Sequence, residues 1–89
     1  MTRLIVERTF EPPFTDSDIE KYMKALEPCC KVVGARWVRS YPSADRRHMV
    51  CEYEAPDAEA VRKANRTAGV PFERVWVAGL VEAPAPAKP

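Results

Sequence analysis

Ala35-Arg36-Trp37-Val38-Arg39-Ser40-Tyr41 and His48-Met49-Val50-Cys51-Glu52-Tyr53-Glu54 read as the two strands of a hairpin. Large part-polar side chains alternate with small or apolar ones along both segments, and a period of two marks a strand. Pro42-Ser43-Ala44-Asp45 between them has turn chemistry. A connection over Ser43 to Arg46 sets Tyr41 opposite His48, Arg39 opposite Val50 and Trp37 opposite Glu52. Directly opposed residues project to one side. One face then carries Trp37, Arg39, Tyr41, His48 and Glu52, and the other carries Val38, Ser40, Met49, Cys51 and Tyr53 as core.

Working outward, residues 3–10 read as a strand, with Leu4 and Val6 on one face and Ile5, Glu7 and Thr9 on the other. Glu11-Pro12-Pro13 ends it, because proline cannot donate to a ladder. Thr15 is a good N-cap, Asp16 and Asp18 suit a helix N-terminus, and Phe14 and Ile19 fall at the positions of a hydrophobic staple. Ile19, Tyr22, Met23, Leu26, Cys30 and Val33 recur at helical spacing. Pro28 is expected to kink or restart this helix, and Gly34 to stop it.

Beyond the hairpin, Pro56 closes the strand and Asp57 caps a second helix that runs to about Ala68, with Gly69 just past its end. Residues 73–81 make a last strand. The order strand, helix, strand, strand, helix, strand is the split βαβ, ferredoxin-like α+β plan, with a four-stranded antiparallel sheet. Crossovers of one hand put both helices on one sheet face. Residues 1–82 form this single domain, and 83–89 form an extended Pro/Ala-rich tail that is expected to be flexible.

Of the 89 residues, 46% are hydrophobic and 30% charged, as in ordinary globular proteins. Fourteen Lys and Arg against thirteen Asp and Glu leave a net charge of +1. That balance speaks against coating nucleic acid or adhering to acidic membranes. No apolar run approaches a bilayer span, and Met1-Thr2-Arg3-Leu4 opens no signal-type apolar region, so a cytoplasmic location is expected. Three cysteines, two of them adjacent, are expected as reduced thiols.

The uncovered sheet face is assigned Ile5, Glu7, Trp37, Arg39, Tyr41, His48, Val50, Glu52 and Trp76. Such a contiguous aromatic patch is costly in water. A second copy would cover it, giving a homodimer of the α+β barrel type with a partly polar cleft.

Leu4-Ile5-Val6-Glu7-Arg8, Val33 to Tyr41, Cys51-Glu52-Tyr53-Glu54-Ala55-Pro56 and Ala68-Gly69-Val70-Pro71 resemble a family of small bacterial domains. This family, formerly described as a domain of unknown function, includes an actinobacterial nickel-binding protein. The resemblance runs from about residue 3 to about residue 78. It implies a dimeric ferredoxin-like fold and Ni(II) as a cofactor. Many members carry histidine between the Val and Ser of the Trp-Val-x-Ser-Tyr piece, where this chain has Arg39, and another near the position of Ala64. Arginine cannot lose its proton to become a ligand.

Three functions are open on the sequence. The first is a non-enzymatic module binding a metal ion or small ligand, with Trp37, Arg39, Tyr41, Glu7 and Glu52 lining the cleft and His48 and Glu52 as metal ligands. The second is a cofactor-independent enzyme on a small organic substrate, with His48 or Glu52 as proton acceptor and Arg39 stabilising an anion. The third uses the open face only to dimerise.

Overall fold

The computed structural model describes residues 1–85. The end of the tail, 86–89, lies outside the described residues. The elements are β1 (Thr2–Thr9), α1 (Asp16–Val33), β2 (Arg36–Pro42), β3 (His48–Ala55), α2 (Ala58–Ala68) and β4 (Arg74–Val77). They build one antiparallel sheet in the order β2-β3-β1-β4, the ferredoxin-like plan.

Local chemistry sets the helix ends. The Asp18 amide donates to Thr15 Oγ1 at 3.1 Å and the Thr15 amide donates to Asp18 Oδ2 at 2.9 Å, a reciprocal capping box. Asp57 caps α2 through the Ala60 amide at 2.8 Å. Gly34 and Gly69 end the two helices in the left-handed region, with φ of 73° and 71°. Pro28 neither breaks nor restarts α1, which runs unbroken from Asp16 to Val33. The proline forfeits a single donor, and the neighbouring turns hold the helix across it.

The core lies between the helices and one face of the sheet. Leu4, Val6, Cys51, Tyr53 and Val75 meet Leu26, Cys30, Val61 and Ala64 there. Val77 opposes Leu4 on that same face yet stays exposed, and β4 stops there rather than running to residue 81.

The hairpin departs from the sequence reading in two ways. Its loop keeps four residues but sits one residue further along: the Ser43 amide donates to the His48 carbonyl across Ala44 to Arg47, and Arg46 adopts a φ of 60°. The Asp45 carboxylate accepts from the Ser43 hydroxyl at 2.6 Å and from the Arg47 amide at 3.0 Å, and these two bonds hold its pKa below the usual carboxylate range. Tyr41 therefore opposes Val50, and Arg39 opposes Glu52. A two-residue slip preserves faces.

The second departure does not preserve them. A bulge between Trp37 and Arg39 leaves Val38 without a partner and sets Trp37 opposite Tyr53. The extra residue shifts the alternation by one. The expected grouping of Trp37 with Arg39 and Tyr41 is therefore corrected: Trp37 belongs to the helix side, where its indole donates to Ser40 Oγ at 2.8 Å.

Candidate functional site

The open face of the sheet is a ladder of cross-strand rows. One row reads Arg39, Glu52, Ile5, Trp76 across β2, β3, β1 and β4. The next reads Tyr41, Val50, Glu7, Arg74. Opposed and diagonal neighbours on one sheet face lie within reach of long side chains, and here they join opposite charges.

Glu52 is the hub of the first row. Arg3 Nε donates to its Oε2 at 3.0 Å, and Arg39 Nε lies 3.5 Å from its Oε1. In the second row Glu7 Oε2 accepts from the Trp76 indole at 2.7 Å and pairs with Arg74 at 3.3 Å. Arg36 pairs with Glu54 at the end of the sheet. Both carboxylates at the centre of the face are thus already engaged. The aromatic and apolar share of the face is Tyr41 at 63% exposure, Val50 at 38% and Trp76 at 45%. Of the two tryptophans expected on this face, Trp76 lies on it and Trp37 does not.

His48 sits at the end of the face, opposite Thr9, with its backbone amide donating to Ser43 Oγ at 3.0 Å. Its side chain is exposed, as the strand-end position dictates. Four residues of strand separate it from Glu52, a distance of about 13 Å. The two cannot reach one ion within a chain.

Among the described residues no group of three His, Cys, Asp or Glu side chains converges as a metal site. Cys29, Cys30 and Cys51 are free thiols, and Cys30 and Cys51 are buried in the core. Borderline metals such as nickel favour imidazole nitrogen and need several ligands at bonding distance. A single copy of this chain does not fit such an ion, since no three such side chains converge on one point among the described residues.

One functional candidate escaped the sequence reading. Arg8 follows Leu4 and Val6 at period two on the helix side of β1, and it is 3% exposed. Its Nε donates to Cys51 Sγ at 3.4 Å, Nη1 to the Pro71 carbonyl at 3.0 Å and Nη2 to the Tyr53 hydroxyl at 3.3 Å. Strand alternation would have found it, as Leu4, Val6 and Arg8 share one side.

The sequence model of a family described as Nickel responsive protein SCO4226-like matches residues 4–77. A crystal structure of SCO4226 from Streptomyces coelicolor A3(2) has a similar fold, with a TM-score of 0.80 and 16% identity. The match covers 90% of this chain and 99% of that one. Among curated proteins, none matches the chain. No helix among the described residues is long and apolar enough to cross a membrane.

Proposed function

The chain belongs to the SCO4226-like family of nickel responsive proteins, and on that premise we propose that it is a small binding module that works as a pair of copies, open face to open face. The observation that carries this reading is the exposure of Tyr41, Val50 and Trp76 on a sheet face that neither helix covers. Aromatic and arginine side chains are the residue types that anchor protein interfaces. Arg39, Tyr41, Glu7 and Glu52 would border the cleft of the pair, and a small ligand would lie between them.

A binding role suits the carboxylates better than a catalytic one. Glu52 is held through both oxygens by Arg3 and Arg39, and Glu7 through Oε2 by Arg74 and the Trp76 indole, so both carboxylates serve to order the face. A nickel ion in this protein would need ligands from both copies, with His48 of one copy supplying the imidazole.

Sedimentation velocity on the full chain tests the pairing. The expected species has twice the 10.1 kDa chain mass, and Val50→Glu reduces it to a single copy. A monomer at all concentrations overturns the reading. Calorimetric nickel titration of the metal-stripped protein, with His48→Ala beside it, separates the ligand classes. Heat that disappears in the variant supports the metal, and no heat, or heat insensitive to His48, overturns it and turns the search to small organic anions.

A further inference from the structure

A cavity of about 930 Å³ lies between α1 and the helix-facing side of β2 and β3. On this side of the sheet the backbone of α1 approaches α2 more closely than it approaches β2. Its walls are mainly apolar, with Phe14, Leu26, Trp37, Met49 and Tyr53 among them, and Met23 and Trp37 stand half-exposed at its mouth. Its volume falls in the range of pockets that enclose small organic ligands.

Arg8 is the buried cation in the lining. A guanidinium is charged at every pH a folded protein meets and carries five N–H donors. Three of these go to a thiol, a peptide carbonyl and a phenol, and none goes to a carboxylate. Every ion pair among the described residues leaves Arg8 out. Burial pushes the Tyr53 phenol up to about 12 and raises the Cys30 thiol, so neither ionises near neutral pH to balance the charge. The cations at the rim are already matched: Lys24 with Glu20, Lys31 with Glu27, Arg46 with Asp16 and Arg36 with Glu54. A buried charge without a counter-ion is expensive, and one facing a cavity can be balanced by a ligand.

We propose that this cavity is a binding site for an amphipathic monocarboxylate, whose carboxylate pairs with Arg8 and whose apolar body fills the space beneath α1. The two remaining N–H donors of Arg8 receive the carboxylate oxygens, a charge-assisted pairing. Trp37, Met23 and Leu26 contact the apolar chain. The bulge that turns Trp37 inward thereby supplies a wall of this site. The site lies on the opposite side of the sheet from the pairing face, so the two readings stand or fall separately.

Titration of the full chain with decanoate below its micelle concentration, and with decanol as the neutral isostere, tests the proposal. Decanoate is expected to bind with a 1:1 heat and to shift the methyl resonances of Met23 and Met49 while leaving Met1 unmoved. Decanol is expected to bind about 30-fold more weakly, the worth of a hydrogen-bonded charge. Arg8→Met removes the difference between the two probes, and Ala35→Phe, which fills part of the cavity, weakens both. No binding of decanoate overturns the proposal, as does equal binding of both probes by the unmodified chain. That comparison decides the matter even where Arg8→Met fails to fold. Shifts confined to residues outside the cavity overturn it too.

Discussion

Trp37 and Arg39, two residues apart on one strand, project to opposite faces of the sheet. Trp37 opposes the buried Tyr53, and Arg39 opposes Glu52 on the open side. The unpaired Val38 between them reverses the alternation, as a bulge must. One residue thus divides an aromatic and a cation between two sites. Trp37→Ala should therefore leave self-association unchanged in sedimentation velocity. It should cost about 1–2 kcal/mol in urea unfolding, less than the 3–5 of a fully buried tryptophan. Val50→Glu, in the middle of the open face, should weaken self-association by about tenfold or more. A dissociating Trp37→Ala would place that indole in the interface instead.

Tyr53 makes alkaline stability a local measurement. Its phenol is buried, and desolvation lifts its pKa from 10.0 to about 12 despite the opposing pull of Arg8. A phenol ionises by losing a proton, so the folded chain keeps that proton at pH values where the unfolded chain has released it. The contribution is whole below pH 10 and is lost as pH rises toward 12. By linkage it amounts to about 2–3 kcal/mol. Urea midpoints taken across that window should fall, and the fall should be smaller in Tyr53→Phe. The late tyrosinate absorbance should vanish in the same variant.

The order of elements and the helix ends were legible because each rests on neighbours in sequence. Thr15 and Asp18 are three residues apart, and Asp57 and Ala60 likewise. The register of β2 on β3 was not, because it depends on the loop. Arg46 adopts a left-handed conformation that glycine or asparagine would have announced and arginine does not. The bulge at Val38 carries no glycine either. The open-face ladder survived these errors in part: a slip of two kept Arg39, Tyr41 and Glu52 together, while the bulge removed Trp37. Arg8 was open to strand periodicity, yet what makes it notable, burial without an acid beside it, exists only in three dimensions.

The capping box of α1 makes a graded prediction. Thr15→Ala removes the acceptor for the Asp18 amide and should cost about 1 kcal/mol. Asp18→Ala keeps that acceptor's hydroxyl but frees the Thr15 amide to water, at about half the cost. The double variant should cost less than the sum of the two, since the bonds are reciprocal and each orders the other. Chemical denaturation of the four proteins measures the coupling, and strict additivity would show that the two bonds act alone.

Gly34 and Gly69 separate backbone strain from crowding. A Cβ added at Gly69 would meet nothing within 4 Å, and one added at Gly34 would meet Pro56 Cγ at 3.8 Å, an ordinary contact. Neither alanine is therefore excluded by its neighbours. Both residues hold a φ near +70°, at 73° and 71°, where a side chain crowds its own carbonyl. Gly34→Ala and Gly69→Ala should each cost about 1–2 kcal/mol, and Asn at either site less, because asparagine tolerates this region. The Pro56 contact predicts that the two alanine variants differ by little. A Gly34→Ala loss well above that of Gly69→Ala in urea unfolding would mean that the packing of the α1 end on Pro56, rather than the turn, requires the glycine.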